Sequence, residues 1–111
     1  MVHYMNLHNK PFESIKSGSK TLELRLLDEK RQLINIGDFI EFTNRTTNEK
    51  LTVKVIALHK FKNFEELFNA FPKTAMGYSE NEIAHFSDME EFYPKEEQQK
   101  YGVVAIEIKK Q

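Results

Sequence analysis

The feature of this sequence that most constrains its fold is an alternation of leucine with polar residues over residues 21–26. A period of two is typical of a β-strand, and it sends the three leucines to one face of a sheet, where they anchor the strand on a core. The opposite face then carries Glu23 and Arg25, which are close enough to form an ion pair. Lys20 has the wrong strand parity to join them unless a bulge or the preceding turn redirects its side chain. Gly18 suits a left-handed turn at that place.

This pattern alone does not establish a functional site. An ion pair on an exposed strand face is ordinary, and such pairs contribute less than about 1 kcal/mol to stability. The sequence therefore leaves two interpretations open for the charged face, a solvated surface and a binding site.

Length and charge limit the class of protein. A chain of 111 residues has the size of one domain, so a single domain over residues 1–111 is predicted. The formal net charge is −1, so a nucleic-acid partner would have to meet a local basic cluster, or the ligand would have to be small. The sequence has no cysteine, which excludes disulfides and thiolate metal sites and favours an intracellular setting.

Several kinds of site and segment are not predicted. No signal-like run and no stretch of transmembrane length is present, so the expectation is a cytoplasmic domain without a membrane partner. The four glycines lie far apart and form no phosphate loop, and no cofactor is expected. No metal site is expected either, because the histidines do not have ligand spacing; they are His3, His8, His59 and His85.

Alternating and helical patterns predict the order of elements. Strands are predicted near residues 2–7, 21–26, 39–43, 51–60 and 103–108. At the end of the fourth strand, Ile56 and Leu58 make both faces apolar, so burial on both sides is expected there. Strands joined by turns, with helices inserted between them, favour an α+β domain whose sheet closes into a small barrel.

Helix boundaries are predicted from capping patterns. Asn9 is expected to cap a first helix that ends at Gly18, and Ser87 is expected to open a short helix before a further one over residues 95–100. The clearest helix begins after Asn63 and ends before Pro72. Its apolar positions have helical spacing and are interpreted as core; they are Phe64, Leu67, Phe68 and Phe71.

Two tyrosines at predicted element ends are candidates for ligand contact. Tyr93 precedes a proline and Tyr101 precedes a glycine, so both lie where the chain changes direction. A tyrosine in such a place offers a ring for stacking on a base and a hydroxyl for hydrogen bonding. Ordinary packing at the rim of the barrel is the alternative.

The quoted residues carry a resemblance to a known family. Residues 17–25, Ser-Gly-Ser-Lys-Thr-Leu-Glu-Leu-Arg, resemble the G-x-K-x-x-E-x-R motif of the ASCH domain family, relatives of the PUA domains. Residues 36–38, Ile-Gly-Asp, resemble that family's turn before a strand, and residues 92–94 with 101–108 resemble its C-terminal pattern. The resemblance implies a PUA-like mixed β-barrel of about five to six strands with flanking short helices, of the small single-domain bacterial type.

The resemblance also implies a function. The family is thought to bind RNA or nucleotides in a cleft lined by the K-x-x-E-x-R residues, so the expected partner is single-stranded RNA or a small nucleoside or nucleotide. Lys20 would then contact a phosphate, Arg25 a phosphate or a base edge, and Glu23 a base amino group. Tyr93 or Tyr101 would contact the face of a base.

Two other functions are left open. Some small bacterial members remove the acetyl group from N4-acetylcytidine with a lysine, a threonine three residues later and a distant glutamate, and another member is described as a ribonuclease. Here Lys20 matches the lysine but Glu23 stands in the place of the threonine, so a hydrolase would use these two residues as a proton-transfer pair. Glu80 and Glu82 are the candidates for the distant glutamate. A protein-interaction adaptor, with an unidentified partner, is the third possibility.

Overall fold

The structure, a computed structural model, describes residues 1–111. Its strands are β1 (Val2–Leu7), β2 (Leu22–Leu26), β3 (Phe39–Asn44), β4 (Lys50–Phe61) and β5 (Val103–Lys110). Its α-helices are α1 (Asn9–Ser17), α2 (Phe64–Ala70) and α3 (Lys95–Tyr101), and two short 3-10 helices cover Arg31–Leu33 and Phe86–Glu91. None of the helices has the length and apolar character needed to cross a membrane.

The five strands form one mixed sheet in the order β1-β3-β4-β5-β2. β1 pairs with β3 in parallel, and the other three pairings are antiparallel. The sheet curls into a half-barrel with short helices, which confirms the predicted α+β class and barrel-like architecture. β1 and β2 lie at the two edges of the sheet, although they follow each other in the chain and are joined by α1.

The sheet has an apolar core on each face. The inner core lies between the concave face and α1, which contributes the buried Phe12 and Ile15. The outer core lies between the opposite face and α2, which contributes the buried Phe64 and Leu67. β5 belongs to both cores, because its successive side chains from residue 103 to 106 are all buried.

The two faces of β2 separate leucines from charged residues, as the alternation in its sequence predicts. Its three leucines are buried in the outer core. Glu23 pairs with Ile106 and Arg25 pairs with Val104, and both of these partners belong to the inner core. The charged face of β2 is therefore turned towards the inside of the half-barrel, at the open edge of the sheet.

Two predicted helix caps are wrong. His8, and not Asn9, is the N-cap of α1, and Asn9 is already helical. The Asn9 side chain instead accepts a hydrogen bond from Asn44, which is fully buried, at 2.9 Å. The helix expected to open at Ser87 is the 3-10 helix over residues 86–91, and it is capped by His85.

The expected burial of both faces at the end of β4 is also wrong. A β-bulge lies between Val55 and Ala57, and it changes the facing of the residues that follow. Ile56 continues the outward alternation from Lys54 and is 41 % exposed, whereas the bulge turns Leu58 towards the inner core, where it is half-buried.

Candidate functional site

A cleft of about 590 Å³ lies at the open edge of the half-barrel, between the end of β1 and β2. Its third wall is the segment over residues 76–93, which joins α2 to α3. Lys20, Glu23, Arg25 and Tyr93 all line this cleft. The other lining residues are Asn6, Leu7, His8, Lys10, Pro11, Leu24, Arg45, Met76, Gly77, Tyr78, Glu82, Met89, Glu91 and Phe92.

The turn before β2 brings Lys20 into the cleft. Gly18 adopts a left-handed conformation with φ of 89° and ends α1, and the Lys20 N–H donates to the Ser14 carbonyl at 3.0 Å. Regular strand pairing starts only at Leu22, so strand parity does not fix the direction of the Lys20 side chain. The Lys20 Nζ lies 3.1 Å from Glu23 Oε1, and the predicted convergence of these two residues is therefore present.

The wall over residues 76–93 is held closely against this turn. The Ala75 carbonyl accepts the backbone N–H groups of Thr21 and Leu22, each at 3.0 Å. Gly77 has φ of +105°, and a Cβ built on it would lie 3.0 Å from the Lys20 Cδ. Glycine at this position therefore provides both the backbone conformation and the space that the Lys20 side chain occupies.

Glu23 lies at the centre of the charged cluster. It is 4 % exposed, and its second carboxylate oxygen accepts a 2.7 Å hydrogen bond from Arg25 Nε. Burial alone would raise the pKa of Glu23, but the Lys20 ammonium and the Arg25 guanidinium together lower it below its ordinary value. Glu23 is therefore a buried carboxylate, ionised at neutral pH, with a cation on each oxygen.

Arg25 connects the two edge strands. Its Nη2 donates to the Asn6 carbonyl of β1 at 3.1 Å, while its Nε donates to Glu23. Burial alone would lower the pKa of Arg25, but the Glu23 carboxylate outweighs this and raises it. The guanidinium is thus permanently charged and closes the gap between β1 and β2 at one point.

Of the two candidate tyrosines, the structure places one in the cleft. Tyr93 lines it near Arg25, its ring stacks on Phe64 at 5.8 Å, and burial raises the pKa of its hydroxyl. Tyr101 lies outside, because its ring packs against the outer core and its hydroxyl donates to Glu29 at 3.2 Å. Of these two candidates, only Tyr93 is thus positioned to contact a ligand in this cleft.

The two candidates for a distant carboxylate are separated in the same way. Glu82 lines the cleft, where it forms a 3.2 Å ion pair with Lys10 and accepts the Ser79 backbone N–H at 2.8 Å. Glu80 is exposed and is not part of the lining, and its backbone carbonyl accepts a hydrogen bond from Lys73. Of these two candidates, Glu82 is therefore the one that a ligand in the cleft would meet.

Several cleft residues were not predicted from the sequence. Phe92 lies at the cleft and is 55 % exposed, and Met76, Met89 and Arg45 also line it. Residues 76–93 have no clear periodic pattern, so nothing in the sequence indicated which of their side chains face Lys20. The signal available in the sequence was the Phe92-Tyr93 pair directly before Pro94, because a pair of large aromatic side chains at the end of an element offers rings for contact with a ligand.

Two of the four histidines are each in contact with a carboxylate. His3 lies 2.8 Å from Asp38 and His59 lies 2.9 Å from Glu107. No group of three or more histidine, aspartate and glutamate side chains is arranged to hold a metal ion.

Comparison with known proteins gives matches over nearly the whole chain. The crystal structure of hypothetical protein PH0355 is 33 % identical, with a TM-score of 0.84 and full coverage of both chains. The solution NMR structure of protein PF0455 from Pyrococcus furiosus is 34 % identical, with a TM-score of 0.72, and the match covers 99 % of this chain and 97 % of that one. No curated protein matches the sequence. The model of the ASCH domain matches residues 5–111, and the chain therefore belongs to the ASCH domain family.

Proposed function

We propose that the cleft binds a nucleotide or a short segment of single-stranded RNA. The observation that carries this proposal is the convergence of Lys20 and Arg25 on the buried Glu23, inside a cleft that also presents Tyr93. A volume of about 590 Å³ lies within the range of small-molecule sites, which is roughly 300–1,000 Å³.

The hydrogen-bonding capacity of the cluster fits an anionic group. Lys20 has three N–H donors and contacts Glu23 with one of them, and Arg25 uses its Nε and Nη2. Apart from the donor that Arg25 shares with the Tyr93 hydroxyl, the remaining donors of both side chains would contact phosphate oxygens, to which arginine binds with a planar fork. Glu23 holds the two cations in place, so the donors are positioned before a ligand arrives.

The charge of the lining points in the same direction. Four cationic side chains and three carboxylates line the cleft, so its lining is positive although the whole chain has a net charge of −1. Its apolar lining, with Met76, Met89, Phe92 and Tyr93, suits the faces of an aromatic base. A positive group beside an aromatic wall is the pairing that a nucleotide needs.

The geometry favours binding over hydrolysis by a Glu23 base. Both carboxylate oxygens of Glu23 are engaged by cations, and its pKa is lowered. A general base works best with a pKa near the working pH, so this carboxylate would accept a proton from water poorly at neutral pH. Lys20 is therefore assigned as a binding group, and Glu23 as the carboxylate that positions it.

Titration of nucleosides, mononucleotides and short single-stranded RNA by calorimetry tests the proposal. Mononucleotides should bind more tightly than the matching nucleosides, and the binding should weaken as salt rises. Arg25→Ala should weaken mononucleotide binding by about 1.5–3 kcal/mol, the range for a hydrogen bond to a charged group. Lys62→Ala, which changes an exposed lysine outside the cleft, should bind as the unchanged protein does.

Two further measurements make the test decisive. Arg25→Lys keeps the charge and should recover part of the affinity, and circular dichroism confirms that each variant is folded. In parallel, incubation with N4-acetylcytidine followed by chromatography should give no product. Nucleotide binding that is unchanged in Arg25→Ala, or deacetylation that disappears in Glu23→Ala, would show that the proposal is wrong.

A further inference from the structure

The outer face of the sheet is exposed over β1, β3 and the first half of β4. Tyr4 on β1 is 61 % exposed, and Lys50 and Lys54 on β4 are exposed on the same face. Lys109 on β5 joins them, because it pairs directly with Lys54. We call the surface formed by Tyr4, Lys50, Lys54 and Lys109 the open face.

The pairing of Lys54 with Lys109 is unfavourable for folding. Like charges directly opposite each other on antiparallel strands destabilise a sheet. Neither lysine forms an ion pair within the chain, and the nearby carboxylate of Glu41 lies within 3.9 Å of Lys50 instead. Two adjacent ammonium groups on an exposed strand pair therefore form a local site of positive charge without an internal counter-ion.

The open face is continuous with the cleft. Asn6 lies on the same face of β1 as Tyr4 and also lines the cleft, and along a strand the two are about 7 Å apart. Tyr4 pairs with Glu41, and Val2 pairs with Phe39, which in turn pairs with Lys54. Lys54 on β4 therefore lies about 10 Å from β1, across two strand spacings, and Lys109 on β5 lies about 14 Å from β1.

We infer that the partner is a single strand of RNA that leaves the cleft past Asn6 and continues over the open face. One base stacks on the exposed ring of Tyr4, and the phosphates that follow lie against Lys54 and Lys109. The inference rests on the proposed function and deepens it, because it distinguishes an RNA strand from a free mononucleotide. The open face carries three lysines, and two carboxylates lie on the same side of the sheet: Glu41, near Lys50, and Glu107, which contacts His59. The excess of lysine is the local basic cluster that a chain of net charge −1 requires for such a partner.

The experiment compares a mononucleotide, a dinucleotide and an RNA oligomer of about eight nucleotides, a length in the range that single-strand-binding folds cover. For the unchanged protein, affinity should rise with length at low salt. In the double variant Lys54→Ala/Lys109→Ala, affinity for the oligomer should fall at least about fivefold, and the slope of log K against log salt should be less steep by about 1.4, from two phosphate contacts. Tyr4→Ala should weaken oligomer binding about fivefold or more, and neither variant should change mononucleotide binding.

A matched control and a stability measurement complete the test. Lys62→Ala/Lys100→Ala removes two exposed lysines that lie outside the open face, and it should bind the oligomer normally. The Lys54→Ala/Lys109→Ala protein should unfold at a temperature no lower than the unchanged protein, since a repulsive pair is removed. If the oligomer binds no tighter than the mononucleotide, or binds equally well to the double variant, the inference is overturned and the cleft proposal stands. If no nucleotide or RNA binds to the unchanged protein, both are overturned.

Discussion

At the scale of single residues, the charged cluster was predicted because its members are close in sequence. Glu23 and Arg25 share a face by alternation alone, and the family motif added Lys20 despite its parity. The structure explains the addition, since the strand begins after Lys20 and the turn directs its side chain. The opposite wall could not be predicted, because Met76, Tyr78 and Phe92 reach the cleft through a long irregular segment whose path depends on tertiary contacts.

A substitution at Gly77 tests whether the position of Lys20 matters for binding. Gly77 and Gly37 both have positive φ, of 105° and 97°, so an alanine at either site should cost about 1–2 kcal/mol of stability. Only at Gly77 would the new Cβ meet Lys20, because nothing lies within 4 Å at Gly37. We expect Gly77→Ala to weaken mononucleotide binding severalfold and Gly37→Ala to leave it unchanged, as measured by calorimetric titration and urea unfolding. Equal effects on binding would show that Lys20 does not need its present position.

At the scale of elements, the sequence predicted the strands and α2 but missed two helix caps and a β-bulge. The aromatic stripe predicted α2, and the Asn63 side chain accepts the Glu66 N–H at 2.9 Å as a cap. The cap of α1 was missed because the Asn9 side chain is taken by a tertiary hydrogen bond from Asn44. The bulge after Val55 was missed because it arises from the register between β4 and β5, which is not visible in β4 alone.

The two phenylalanines of α2 are buried to different degrees, so replacing each of them should destabilise the protein by a different amount. Phe64 is fully buried in the outer core, whereas Phe68 is half-buried and meets the Tyr78 ring edge-on at 6.1 Å. Phe64→Ala should therefore destabilise the protein by about 3–5 kcal/mol. Phe68→Ala should cost clearly less, because part of its ring is in contact with water in the folded state. Urea unfolding of both variants measures the difference, and a larger loss at Phe68 would contradict this assignment of the core.

At the scale of the whole molecule, the cleft exists because the half-barrel does not close between β1 and β2. The sequence predicted the five strands and the barrel-like class, but it did not show which strands would be edges, since pairing is a long-range property. β2 is held from one side by β5, and Arg25 reaches across to the Asn6 carbonyl from the other. The charged cluster therefore has two roles, because it positions donors for a ligand and also links the two edges of the sheet.

This link makes the stability of the whole molecule dependent on the ionisation of Glu23. Because its pKa is lower in the folded than in the unfolded chain, its stabilisation is complete above about pH 4.5 and is lost as the pH falls through the folded-state pKa. Glu23→Gln leaves two buried cations without their counter-ion, so near pH 7 it should be less stable by about 3–5 kcal/mol. The difference from the unchanged protein should shrink as the pH falls below about 4.5, because the unchanged protein then loses the same charge.

The pKa values of Asp38 and Glu82 are also lowered, by hydrogen bonds from His3 and from the Ser79 backbone, but both proteins keep these contributions. Urea unfolding across this pH range, with Glu13→Gln as an exposed control expected to change stability by less than about 0.5 kcal/mol, measures the effect. A stability difference between the unchanged protein and the Glu23→Gln variant that stays constant from neutral to acid pH would show that Glu23 is not the carboxylate on which the closure of the sheet depends.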